Sequence, residues 1–406
     1  MSDTLTMYQD TINYLEHRRD TIIRGGINCI PSPFYRFSND FVGVTQGTYY
    51  IITGATKSAK TQLSSYLFIY HPLLYCFNNP QKEIDYRILY FAWEETPRKV
   101  YIRWLSHILY ILSGYTIRVS PMDLQSTKET KPLSKDVLDL IKSTKFKILC
   151  KYFEEHVEFN SIRNPTGMYK HALSKTVDEG KIYKKKVIVK DRDTGIPKEV
   201  EVFDRYEPYN PFLYRLVIWD HVGLTSNESG MNKMESIGKM SYDYGVELRD
   251  RYNMSIVNIQ QQVATHEGVE NYKAGKIRPS GDGLNWNKST QFDCNIMLGI
   301  FSPYKYELPE YMGYNVTKLK DNLRFLEVCV SRDGEGNGVC PLYFDGAVSY
   351  FQELPLPHDE KKLNEVYGLI KKNKESLILC NISDEIINKN NNNKLFRTIK
   401  NLWKQL

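Results

Sequence analysis

The chain lacks the marks of a secreted, zinc-bound or membrane-embedded protein. Its seven cysteines are odd in number and include no C-x-x-C pair, and its eight histidines are scattered. Such usage argues for reduced thiols in a cytosolic setting and against a zinc finger. No apolar signal core opens the chain, which begins MSDTLTMYQDTINYLEHRRD, and the longest apolar stretch, YLFIYHPLLYCF, is interrupted by His71 and Pro72. The expectation is a soluble, unsecreted, cytoplasmic protein without a membrane span. Excess charge of one sign is missing too. Against 48 Asp and Glu stand 54 Lys and Arg, and the resulting +6 is compatible with an anionic partner without establishing one. No internal repeat is visible. What remains, 406 residues with 41% hydrophobic content, suffices for a sizeable core and about two to three domains, or for one elaborated α/β domain with appendages.

The first positive feature is GATKSAKT, which follows the apolar run YYIIT and precedes LSSYLFIY. A strand, a tight turn and a helix therefore meet at a lysine, the arrangement of a P-loop. There the backbone of Gly54, Ala55, Thr56, Lys57, Ser58 and Ala59 points N–H groups at phosphate oxygens, Lys60 reaches the β and γ groups, and the hydroxyl of Thr61 holds Mg²⁺. One residue departs from G-x-x-x-x-G-K-[ST]: Ala59 stands where the second glycine is expected, and its methyl crowds the phosphate or strains the turn.

Around this motif the pattern is strand then helix. Residues 3–24 read as a polar helix with Leu5, Tyr8, Ile12 and Leu15 on one stripe, ended by Gly25-Gly26. RILYFAW is a second strand, ending in Glu94-Glu95, and a helix with Val100, Trp104, Ile108 and Ile111 at helical spacing follows from about Pro97. YRLVIWD, MSIVNIQ, NIMLGI and FLEVCVSR continue the series, and VCPLYFDGAVSYFQEL reads as a closing hairpin around Asp345-Gly346. The rhythm predicts an α/β fold with a mostly parallel sheet. Residues 115–212 break it and read as an α+β insertion, with YKKKVIVKD and KEVEVFDRY as a hairpin whose Lys184–Lys186 run is a solvated face. The division is residues 1–24 as an N-terminal helix, 25–356 as the core domain, and 357–406 as a helical tail containing the flexible linker NKNNNNK.

Strand carboxyl ends carry ligands in open α/β sheets, and here four of them deliver polar groups. Asp220 closes the run RLVIW, placed as a Mg²⁺-shell aspartate or as an ordinary helix-capping one. Glu94 is the general base that orients water, with Glu95 as its rival and a first-turn helix cap as the plain alternative. Gln260, one of three consecutive glutamines, senses the γ-phosphate or is a solvated strand end. Beyond it the loop VATHEGVENYKAGKIRPSGDGLNWNK combines Lys273, Lys276, Arg278 and Lys288 with Tyr272 and Trp286, cations for phosphates and rings for bases. Arg332, before DGEGNG, is a surface arginine or a finger acting in trans on a neighbour's γ-phosphate.

Taken in order, these segments resemble the C-terminal RecA-like motor domain of DnaB-type replicative helicases of bacteria and phages, over about residues 20–355 apart from the insertion. GINCIPSPFYRFSNDFVGVTQGTYYIITG looks like the family's entry segment. RILYFAWEETPRKVYIRWLS is similar to its second strand and helix, with the catalytic glutamate at Glu94 and the helix arginine at Arg103. RLVIWDHVGL resembles the Walker B strand, MSIVNIQQQV the sensor strand, GVENYKAGKIRPSGDGL the DNA-facing loop, TQFDCNIMLGI a further strand and VSRDGEGNGVCPLYFDGAVSYFQEL the finger segment. The resemblance implies a RecA-like P-loop NTPase using ATP and Mg²⁺, assembled as a hexameric ring on single-stranded DNA, with primase or other replisome proteins as partners. Two departures are Ala59 and Val330, the latter where the family has a lysine two residues before its finger. The family's N-terminal helical domain has only residues 1–24 as its counterpart, and these resemble its linker helix. The alternatives are a poorly hydrolysing ATP-binding assembly factor and a RecA-type recombination ATPase.

Overall fold

The computed structural model describes residues 2–128, 132–191, 195–263, 277–332 and 338–379, with residues 271, 334 and 336. Nine strands form the main sheet: β1 (Tyr49–Gly54), β2 (Asp85–Ala92), β3 (Val157–Asn160), β4 (Leu213–Asp220), β5 (Ser255–Gln261), β6 (Ile296–Phe301), β7 (Leu323–Ser331), β8 (Val339–Asp345) and β9 (Tyr350–Glu353). Their order is β9-β8-β7-β6-β1-β5-β4-β2-β3. From β6 to β3 all neighbours are parallel, and β7, β8 and β9 add an antiparallel meander. Every residue of β1 and β4 is buried. Continuous burial follows from helices on both faces and explains why these strands read as unbroken apolar runs rather than alternating ones.

The core is accordingly split in two. One face packs Tyr50, Ile52, Ile218 and Ile259 against the helices Lys60–Asn78, Pro97–Leu112 and Thr144–His156; the other packs Tyr49, Ile51, Trp219 and Ile256 against Pro165–Glu179 and Lys233–Tyr252. The first helix runs through Pro72, which the sequence pattern reads as an interruption. A π turn at Tyr66–Tyr70 precedes the proline. Pro72 has no N–H to offer the carbonyl of Phe68 four residues back, and the buried Tyr86 hydroxyl donates to that oxygen instead, at 2.7 Å.

The block 115–212 is only partly separate from the sheet. Val157–Asn160, whose first three residues end the aromatic segment KYFEEHVEF, pairs parallel with β2 as the edge strand, with Val157 buried in the core and Phe159 half-buried against Phe153 and Tyr90. What stands apart is the hairpin Gly180–Lys190 with Pro197–Pro208. Its Lys184, Lys185 and Lys186 pair across the ladder with Glu201, Asp204 and Glu199 at 3.8, 3.5 and 3.1 Å. An N-terminal helix, Ser2–Ile23, and a further helix, Glu360–Leu379, flank the core region. Among the described residues no helix is long and apolar enough to cross a membrane. The asparagine linker and the tail helix expected beyond it fall outside the described residues.

Candidate nucleotide site

The turn after β1 takes the P-loop course. At Gly54 a Cβ would come 2.6 Å from the Ile300 carbonyl and 2.7 Å from the Ser58 hydroxyl, so the close approach of β6 requires glycine there. Lys57 and Ala59 are both left-handed, with φ 63° and 79°. Ala59 is the N-cap of the helix, with ψ 28° and no side-chain cap. No side chain caps the start of that helix, where an anion would sit against its first N–H groups. Lys60 is buried, and its ammonium donates to the Ala55 carbonyl at 2.8 Å.

Two neighbouring strands bring the acidic groups to the same edge. Ala92 pairs with Asp220 in register, and Trp93 extends the ladder by donating its N–H to the Asp220 carbonyl at 3.0 Å, which sets Glu94 just past Asp220. Asp220 accepts from the Thr61 hydroxyl at 3.3 Å and from the Tyr90 hydroxyl at 2.6 Å. Burial pushes its carboxyl up to about 6, and nearby Glu94 pushes the same way, against the two hydroxyl bonds and the Arg103 charge. Thr61 and Asp220 offer hard oxygen donors suited to Mg²⁺, and a buried carboxylate disfavoured by desolvation is one that a divalent cation would draw down. Glu94 is exposed, whereas Glu95 is tied to Arg103 in an ion pair, which separates the two rival glutamates. His221 is depressed by burial and by the Lys60 and Lys233 charges.

At the end of β5 the glutamines divide between the two faces. Gln260 is wholly buried on the face away from the P-loop helix: its amide donates to the carbonyls of Asn285 and Asn287 at 2.6 and 2.8 Å and accepts from Thr290 at 2.8 Å. Gln262 bridges Thr53 and the Ser280 carbonyl at 2.8 and 3.0 Å. Gln261, half-buried and of the same parity as Val257 and Ile259, lies on the P-loop helix side.

The loop beyond is seen in part, Lys273, Lys276 and Tyr272 lying outside the described residues. Lys288 is exposed, near exposed Trp286 and Phe292. Arg278 binds the buried carboxylate of Glu327 through Nε and Nη2, at 2.8 to 2.9 Å. Arg332 follows β7 at the far edge of the sheet: its N–H donates to Asn295, whose own N–H donates to Tyr49 at the start of β1, and its guanidinium donates to the Phe292 carbonyl. The length of β1, about 17 Å at ~3.3 Å per residue, separates it from the P-loop of its own chain.

Sequence reasoning missed three contacts. Tyr90, inside LYFAW, reads only as core. Lys305 donates to the Thr56 carbonyl at 3.1 Å, and Arg324, fully buried, donates to the Ser58 carbonyl at 3.1 Å. The one available signal was a charge inside the apolar strand LRFLEVCVS.

No protein-family model matches this chain, and no curated protein matches it by sequence. Solved structures match by fold. A solved ATPase domain superposes with a TM-score of 0.55 at 12% identity, covering 87% of this chain and 98% of its own. A DnaB-like replicative helicase, described with its interactions with primase, gives the same TM-score and identity over 87% of this chain and 67% of its own. With its P-loop at the carboxyl edge of a mostly parallel nine-stranded sheet, the chain has the RecA-like fold of DnaB-like replicative helicase ATPase domains.

Proposed function

We propose that the chain is an ATP-dependent, ring-forming helicase or translocase that acts on single-stranded DNA in replication. One observation carries the reading: Lys60, Thr61, Asp220 and Glu94 gather at one edge of the sheet while Arg332 lies at the other. A site so divided is completed by a second copy, with Arg332 of one subunit meeting the γ-phosphate held by the next. Backbone N–H groups of the P-loop and Lys60 hold the triphosphate, and Thr61 with Asp220 holds Mg²⁺, which when bound shields phosphate charge. Glu94 takes the proton of the attacking water. Gln260 ties β5 to the 285–290 segment and so links the site to the loop beyond, with Gln261 facing the phosphate side. Lys273, Lys276 and Lys288 neutralise DNA phosphates and Trp286 stacks on bases; Arg278 anchors the loop through Glu327. A hexameric ring in the cytoplasm is the assembly proposed, with a primase as partner, by analogy with the DnaB-like helicase of the comparison.

The test is ATP hydrolysis with and without single-stranded DNA, beside unwinding of a forked duplex. Stimulated turnover and unwinding, both abolished by Lys60→Ala, are expected. Turnover indifferent to DNA together with no unwinding would sink the helicase reading. Nucleotide binding with very slow turnover would favour the second one, a poorly hydrolysing ATP-binding assembly factor, to which left-handed Ala59 and Val330 point, and normal Mg²⁺-dependent turnover abolished by Lys60→Ala would reject it.

A further inference from the structure

Two left-handed residues without glycine's freedom stand in the P-loop, Lys57 and Ala59. A Cβ-bearing residue populates that region roughly five- to thirty-fold less readily than the right-handed one. Something must hold the loop there. The dihedral φ of a residue is set by the plane of the peptide preceding it, and that plane is fixed once its carbonyl oxygen is held. The carbonyl preceding Lys57 is that of Thr56, which accepts from Lys305; the carbonyl preceding Ala59 is that of Ser58, which accepts from Arg324.

Arg324 is well fitted to this. Its side chain is 2% exposed and lies 4.8 Å over the Phe344 ring. Nη1 donates to the carbonyls of Asp321 and Leu323 at 2.7 and 2.9 Å, and Nη2 to the Asp321 carboxylate at 2.8 Å. The guanidinium is therefore fixed by β7 and the turn before it, and Nε is aimed at Ser58. Lys305, on the short 3-10 turn Pro303–Tyr306 after β6, reaches the loop from the exposed side. We propose that Arg324, seconded by Lys305, is a positioning residue that holds the P-loop in the turn Ala59 disfavours, replacing with side-chain hydrogen bonds the freedom a glycine would supply. The effect on nucleotide rests on the nucleotide-binding reading above; the effect on the loop does not.

A double-mutant cycle in the full-length chain tests it, combining Arg324→Met with Ala59→Gly and reading two quantities. The first is the Kd for a fluorescent ATP analogue with Mg²⁺. Arg324→Met should weaken binding about tenfold or more in the parent and only two- to threefold alongside Ala59→Gly, with Arg324→Lys intermediate. The second is the urea midpoint, which needs no nucleotide: Ala59→Gly should raise it in the parent and leave it unmoved alongside Arg324→Met, where the loop has already relaxed. Equal effects in both backgrounds on both measures would show Arg324 to be an ordinary structural anchor and overturn the proposal. Should Arg324→Met fail to fold, the exposed Lys305→Met with Lys57→Gly runs the same cycle on the other peptide. A parent chain that binds no nucleotide at all refutes the functional reading instead, and the midpoints still decide this one.

Discussion

Replacing Asp220 by asparagine should make the metal-free protein more stable while disabling its site. The carboxyl is fully buried and its pKa stands at about 6 against 3.8 in a free chain. An acid whose folded pKa is raised holds its proton more tightly when folded, so its contribution is most favourable below pH ~4 and is lost as pH rises through about 6. At ~1.36 kcal/mol for each pH unit of that rise, the penalty of the ionised group comes to about 3 kcal/mol above pH ~7. In Asp220→Asn the amide oxygen still accepts from Tyr90, and the amide N–H donates to the Thr61 hydroxyl, so most of the penalty should vanish. Urea unfolding in EDTA, followed by tryptophan fluorescence, should show a gain of about 2 kcal/mol at pH ~7.5 and almost none at pH ~4. Mg²⁺ and ATP should protect the parent and leave the variant unprotected. An equal difference at both pH values, or a loss at the higher one, would refute the account of Asp220 as a desolvated charge awaiting a cation.

Two further outcomes follow from geometry. Arg278→Ala strands the Glu327 carboxylate, which is 5% exposed and already raised by burial. Stability should fall by about 3 kcal/mol at pH ~7.5 and partly recover toward pH ~5 as Glu327 takes up a proton; unchanged stability with weakened DNA binding would instead make Arg278 a direct DNA contact. Mixing inactive Lys60→Ala with inactive Arg332→Ala should restore about a quarter of parental hydrolysis in mixed rings, because some interfaces then join an intact lysine to an intact arginine. No recovery in mixed assemblies counts against action in trans.

Much of the core was legible because parallel strands buried on both faces leave unbroken apolar runs, and the first polar residue after each run marks the ligand edge. On that ground YYIIT and YRLVIWD read as β1 and β4 and set Asp220 at that edge, whereas Lys60 was legible from the motif GATKSAKT. Edge strand β3 was hidden because VEFN is four residues long and continues a helical aromatic pattern. Choosing among Gln260, Gln261 and Gln262 needs the register of β5 against β1, which a period of two cannot supply when both faces are polar at the strand end. Arg278 carried the composition of a DNA contact, and only folding reveals Glu327, 49 residues along the chain, as its partner.

Strand β7 touches more than one site. Arg324 near its start grips the P-loop of its own chain, and Arg332 just past its end stands about 26 Å away at ~3.3 Å per residue. In the proposed ring that end faces the γ-phosphate of the next subunit. The strand pairs with β8 along Leu323–Glu327 and with β6 along Phe325–Ser331, and a bulge at Cys329 breaks the second ladder just before Arg332. In that proposed ring one strand carries both the arginine that holds its own subunit's loop and the arginine that reaches the next site. Cys329 is then the point at which the two ends of β7 can move apart, so a change at one nucleotide need not be passed rigidly to its neighbour.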